Sequence, residues 1–115
     1  MPRFVILSHD HPFAHWDLML ETRGSLRTWR LLQSPDLSAR IEAEALADHR
    51  LYYLDYEGPV SGDRGEVTQW DRGDYSALCE SPERLAIELH GQRLSGRYVL
   101  DRRDDQRWTF FFAED

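Results

Sequence analysis

Residues 14–22, "AHWDLMLET", alternate with a period of two, and this alternation constrains the fold more than any other stretch. Successive side chains of a strand point to opposite sides, so Trp16, Leu18 and Leu20 share one face while His15, Asp17, Met19 and Glu21 share the other. Upstream, "RFVILS" (3–8) is a short apolar run with β-branched members and reads as a buried strand. "DHPF" between the two runs is a turn built on Asp10 and Pro12.

The pattern continues along the chain. "GSLRTWRLL" is a third strand opened by Gly24. "SPDLSARIEAEALADHR" admits two readings: Ser34-Pro35-Asp36 opens a helix, or a loop precedes a strand in which Ile41, Ala43, Ala45 and Ala47 keep a period of two. The loop and strand are the preferred expectation. "RLYYLDYEG" predicts one helical turn closing at Gly58, and "GEVTQWDRG", "RLAIELHG", "LSGRYVLDR" and "RWTFFFAE" predict four more strands. The turn signals between them are Asp71 to Gly73, Gly91-Gln92 and Asp104-Asp105. Seven or so short strands with little helix make an all-β sandwich or small barrel the expected class.

At 115 residues the chain is expected to be a single domain spanning residues 1–115. Its 41% hydrophobic and 12% aromatic content are those of a folded protein. The apolar run Phe4 to Leu7 is too short for a signal peptide or a membrane span, which makes the cytoplasm the expected location, with no membrane partner. Cys79 is the one cysteine, so an internal disulfide or a cysteine-rich zinc site is excluded, and a lone thiol in "ALCE" reads as core filler.

All 14 basic residues are arginine, so chemistry that needs a lysine (a P-loop, a Schiff base, a lysyl-nucleotide intermediate) is excluded. A formal charge of −7 argues against coating DNA through a basic surface, though not against meeting phosphate locally through a metal ion. Three of the five histidines lie in "HDHPFAHWDLMLE". In a strand His15 and Asp17 project to one side, about 7 Å apart by the rise per residue. His9, at the end of the neighbouring strand, would complete a His/His/carboxylate set with open coordination positions. The carboxylate, a hard oxygen ligand, favours manganese over a site of pure imidazole or thiolate. A polar row opposite an apolar one is also what a half-exposed strand shows, so the geometry by itself leaves both readings open. His11 is expected at the surface and His90, in "LHGQ", as structural.

The string "FVILSHDHPFAHWDLMLE" resembles the signature of the 3'-phosphoesterase domain of bacterial DNA ligase D: a strand ending in His-Asp, then His-aromatic-Asp six residues after the first histidine, then Leu-Glu. "GSLRTW" is similar to that family's Gly-x-Leu-x-x-Trp, "DHRLYYLDYEG" to its Asp-His-Pro-Leu-x-Tyr-x-x-Phe-Glu-Gly, and "WDRG" to its Trp-Asp-x-Gly. "IELHGQRLSGRYVL" and "RWTFFF" resemble the closing strands, so the likeness covers nearly the whole chain in order.

The resemblance implies a small antiparallel β-barrel of about seven to eight strands with one or two short helices. It implies manganese, or another divalent transition metal, held by His9, His15 and Asp17, with His49 contacting phosphate and Tyr53 beside it as the catalytic pair. The implied activity trims 3' ends of nucleic acid in DNA repair by removing a terminal ribonucleoside and then the 3' phosphate, with a DNA ligase or repair complex as partner. In ligase D the domain is fused to ligase and polymerase modules, so this chain is expected to be a free-standing relative.

Three positions depart from the family pattern. Met19 stands where the family has a phosphate-gripping arginine, Leu7 where it has glutamine and Ala47 where it has glutamate. "EGPVSGDRGE" is shorter than usual, and Arg40, Arg50 and Arg64 are candidates to supply the missing cation from another segment. A non-catalytic module of the same fold that binds metal and holds a DNA end or partner is therefore the alternative expectation. A metalloesterase acting on a small phosphorylated molecule is a third.

Overall fold

In the computed structural model the chain is a closed antiparallel barrel, and residues 2–36 and 39–113 are described. Leu37 and Ser38, in the expected loop, and Glu114, at the end of the last expected strand, lie outside the described residues. The strands are β1 (Arg3–His9), β2 (His15–Thr22), β3 (Ser25–Leu31), β4 (Ile41–His49), β5 (Gly58–Pro59), β6 (Glu66–Glu80), β7 (Arg84–Gly91), β8 (Ser95–Arg102) and β9 (Arg107–Phe112). Hydrogen-bonded neighbours run β1-β2-β3-β4-β9-β8-β7-β6, and β6 pairs back with β1, so eight strands close with no free edge and β5 is a short addition to β6. The helical element among the described residues is a single 3₁₀ turn, Leu51–Leu54. No helix among them is long and apolar enough to cross a membrane.

Alternation decides which side chains fill the barrel. Phe4 and Ile6 of β1, Leu18 and Leu20 of β2, and Trp29 and Leu31 of β3 point inward with Ile87, Leu100, Trp108 and Phe110. Trp29 meets Trp108 edge to face at 5.5 Å, and Tyr98 stacks on Phe110 at 5.1 Å. Each fully buried large apolar side chain of this kind stabilises the fold by roughly 1.5–3 kcal/mol.

The outer surface of β1, β2 and β3 is covered as well. Val5, Leu7, Met19, Leu26, Leu54 and Val67 form a second, smaller cluster, with Tyr53, Tyr56 and Val60 packed against it. The 3₁₀ turn and the segment leading into β6 thus roof one wall of the barrel, and β2 is buried on both faces. The row His15, Asp17, Met19, which on its alternation could have been solvent-facing, lies beneath this roof at 1%, 4% and 1% exposure.

Three local expectations are corrected. The helical turn ends at Leu54 with Asp55 as its cap, and Gly58 opens β5 instead of closing the turn. Asp71 to Gly73 is not a turn; it lies inside β6, a continuous strand of 15 residues. The Asp71 carboxylate accepts the backbone N–H groups of Arg72 (2.8 Å), Gln92 (2.8 Å), Arg93 (3.1 Å) and Leu94 (2.8 Å), so it caps the β7–β8 turn instead of making one of its own. The glycines serve this packing: a Cβ on Gly73 would strike the His90 carbonyl, and one on Gly91 would strike Asp71 Oδ2. Cys79 is exposed, not core filler, because β6 continues past its β1 pairing to a point where Ala77, Leu78, Cys79 and Glu80 are all exposed.

Candidate metal centre and phosphate cleft

His9 and His15 sit directly opposite one another where β1 and β2 pair, and Asp17 follows two residues along the same face. The potential ligand atoms of the three lie within 4.8 Å of one another. His15 Nε2 is 3.5 Å from Asp17 Oδ1, and His9 Nδ1 is 3.9 Å from Asp17 Oδ2. The rings of the two histidines meet edge to face at 4.9 Å.

Backbone carbonyls fix the tautomers. His9 Nε2 donates to the Arg64 carbonyl at 2.7 Å, and His15 Nδ1 donates to the Phe13 carbonyl at 2.9 Å. A carbonyl can only accept, so each ring carries its proton there and turns the other nitrogen's lone pair toward Asp17. Among the described residues nothing donates to those lone pairs: His15 Nε2 and Asp17 Oδ1 are both buried without a hydrogen-bond partner there. Three acceptors converging with no donor is costly in a free protein, and it is the arrangement a cation resolves. The residues therefore fit a divalent ion, with nitrogen and oxygen donors that suit manganese, iron or zinc.

The three residues line a cleft of about 360 Å³ together with His49, Tyr53, Arg30, Arg64 and Met19. His49 is the last residue of β4, and its Nδ1 donates to the Ala47 carbonyl at 3.0 Å, which leaves Nε2 for the cleft. Tyr53 lies in the 3₁₀ turn, and its ring meets His49 edge to face with centroids 5.8 Å apart. The two come together across a strand-to-turn corner. His11 is exposed and contributes to the cleft rim, whereas His90 pairs loosely with Glu88 at 3.7 Å away from it. Asp10 ties the wall down: its Oδ1 accepts the Glu66 N–H at 2.9 Å, and that bond holds its carboxyl below the usual range.

The arginines named from sequence divide. Arg40 lies over Phe111 at 3.8 Å and does not line the cleft, and Arg50 lies over Tyr52 at 5.7 Å. Arg64 does line it, but its guanidinium is engaged with the Ser61 carbonyl at 2.7 Å and the Ser61 hydroxyl at 3.3 Å. Arg30 was missed. It pairs across the strands with Asp17, a relation set by sheet register that no local spacing in "TWRLL" reveals. Leu7 is fully buried at the cleft floor, and Ala47 contributes its carbonyl to His49.

A closed barrel carrying on its outer wall a cleft with a preformed His/His/Asp cradle and a separate His/Tyr pair defines a candidate metal-dependent hydrolytic site. Comparison with known proteins narrows the class: a family model for the DNA Ligase D 3'-phosphoesterase domain matches residues 7–102, and the chain belongs to that family. The multifunctional non-homologous end joining protein LigD of Pseudomonas aeruginosa is 32% identical over 127 aligned residues, covering 98% of this chain and 15% of its own length. The multifunctional non-homologous end joining DNA repair protein LigD of Mycobacterium tuberculosis is 37% identical over 114 residues, covering 91% of this chain and 15% of its own. The chain thus spans about 15% of the length of these curated relatives.

Proposed function

We propose that the protein is a metal-dependent phosphoesterase, using manganese, that processes 3' ends of nucleic acid in DNA repair. The observation that carries this reading is the convergence of the unpartnered His15 Nε2 and Asp17 Oδ1 with His9 in the cleft that also holds His49 and Tyr53. Membership of a 3'-phosphoesterase domain family and similarity to end-joining repair proteins support the substrate class.

His9 Nδ1, His15 Nε2 and Asp17 would hold the ion. An ion held there would supply Lewis acidity toward a phosphoryl oxygen and a water of lowered pKa. The remaining steps belong to the chain. The Arg64 and Phe13 carbonyls keep both ligand rings in the tautomer that presents a lone pair. His49, fixed through Nδ1, offers Nε2 to the phosphate; with the ring doubly protonated, Nε2–H would hold charge there or protonate the departing oxygen. The Tyr53 hydroxyl donates a hydrogen bond to the phosphate from the adjacent wall. The apolar cluster under the roof limits water around the reacting group, which strengthens each of these contacts.

The test is manganese-dependent hydrolysis of a primer–template ending in a 3'-ribonucleotide or a 3' phosphate, with His15→Ala as control. Release of nucleoside or phosphate by the wild type, abolished in the variant, is expected. No release from either substrate by metal-loaded protein would overturn the reading.

A second reading is favoured by one residue. Met19 is 1% exposed in the cleft wall and presents no donor to a phosphate. On that reading the protein binds metal and holds a DNA end or a repair partner without cleaving it. Stoichiometric manganese binding and DNA-end binding with no turnover would support it; turnover lost in His15→Ala would exclude it.

A further inference from the structure

We propose that Arg30 is the phosphate-gripping residue of the cleft, a role that rests on the phosphoesterase reading and gives it a cation from β3. The β2–β3 register sets Arg30 directly opposite Asp17 and Met19 opposite Thr28, so the Arg30 side chain emerges on the outer face beside the ligand carboxylate. It lines the cleft, as does Arg64. The difference between them is engagement: Arg64 spends its guanidinium on Ser61, whereas Arg30 Nε is buried with no hydrogen-bond partner among the described residues.

The Arg30 guanidinium makes no close polar contact with the described residues. Its Nη1 is 3.8 Å from Glu44 Oε1, a distance beyond a hydrogen bond, and its Cζ lies 5.6 Å from the centroid of the Phe13 ring. Phe13 in turn meets His15 edge to face at 5.7 Å, so one ring borders both the cation and a ligand histidine. A buried Nε–H lacking an acceptor is the donor-side counterpart of the acceptors at His15 and Asp17, which line the same cleft. An oxyanion that also touches the ion would satisfy both sets. The planar guanidinium fork matches two phosphoryl oxygens, and a 3'-phosphate monoester, carrying more charge than a diester, gains most from it.

The experiment measures binding of inorganic phosphate by manganese-loaded protein, and the KM for a 3'-phosphorylated oligonucleotide, in the wild type, Arg30→Met, Arg30→Lys and the Arg30→Met/Met19→Arg double variant. Manganese affinity and circular dichroism are followed in each. Arg30→Met is expected to weaken phosphate binding by about tenfold or more, the loss of one bidentate charged contact, while manganese affinity stays within about twofold. Arg30→Lys should recover part of it, since lysine brings the charge without the fork. An arginine at 19 in the double variant should recover it too, and that rescue separates a lost grip from a damaged fold.

Phosphate binding unchanged in Arg30→Met with manganese binding intact would overturn the proposal, as would a wild type that binds no phosphate. The two readings fail separately. Hydrolysis of the oligonucleotide by Arg30→Met at unchanged KM would sink the role of Arg30 and leave the phosphoesterase standing. Phosphate bound through Arg30 with no hydrolysis would do the reverse.

Discussion

Asp17 and Asp71 are equally buried, each 4% exposed, on the two strands that flank β1, yet their oxygens are used in opposite ways. Asp71 accepts four backbone N–H groups, three of them from the β7–β8 turn, and its charge is neutralised by dipoles that the fold itself supplies. Asp17 has an oxygen with no donor among the described residues and faces two imidazole lone pairs. A buried carboxylate saturated by the backbone is a structural fastener. One surrounded by other acceptors is suited to a cation from outside.

The comparison breaks most easily at Asp71. Asp71→Ala strands the N–H groups of Gln92, Arg93 and Leu94, and the unfolding free energy should fall by about 3 kcal/mol or more in urea titrations. Asp17→Ala in metal-free buffer removes no donor's partner and should cost under about 1 kcal/mol. Equal losses at the two sites would end the distinction. Metal sharpens it: manganese at about 100 times its Kd should stabilise the wild type and Asp71→Asn alike by about 2.7 kcal/mol and Asp17→Ala not at all, read from the shift in Tm.

Smaller effects separate the parts of the cleft and its surroundings. His49→Ala should lower the hydrolytic rate constant by about 100-fold with manganese affinity unchanged, since a proton donor is removed and the cradle is untouched. A parallel loss of manganese affinity would place His49 among the ligands. Cys79→Ser, at the exposed end of β6, should shift stability by less than about 0.5 kcal/mol.

The smallest effect is a pH dependence far from the site, in the β8–β9 turn. Asp104 accepts the N–H groups of Gln106 and Arg107 and the Arg107 guanidinium, which lowers its carboxyl from 3.8 to about 2. Because the folded value is the lower one, this contribution is fully present above the ordinary carboxylate range and is lost as pH falls through about 2. Calorimetric Tm profiles between about pH 4 and pH 2 should be flatter for Asp104→Asn than for the wild type.

What the sequence made legible is what local spacing encodes. The period of two in "AHWDLMLET" put Trp16, Leu18 and Leu20 on one face and His15, Asp17 and Met19 on the other, and in the barrel the first set packs into the interior. The loop-and-strand reading of residues 34–50 fits β4, and a single helical turn is present at Leu51–Leu54, though it closes at Asp55 and not at Gly58. What was not legible depends on partners distant in the chain. Asp71-Arg72-Gly73 has turn composition, but its aspartate serves a turn some 20 residues later in sequence, at Gln92 and Arg93. The second apolar cluster is assembled from β1, β2, β3, the 3₁₀ turn and β6, so no single segment shows that β2 is buried on both sides. Arg30 reaches the cleft only through the register that sets it across from Asp17.

The most direct test of the central claim, that the outer wall of β1 and β2 holds one divalent ion, is a manganese titration followed by the loss of the free-ion electron paramagnetic resonance signal, comparing the wild type with Asp17→Asn and Asp71→Asn. One ion per chain in the wild type and in Asp71→Asn, and none in Asp17→Asn over the same range, is the predicted result. Stoichiometric binding that survives in Asp17→Asn, or a wild type that takes up no manganese, would contradict it.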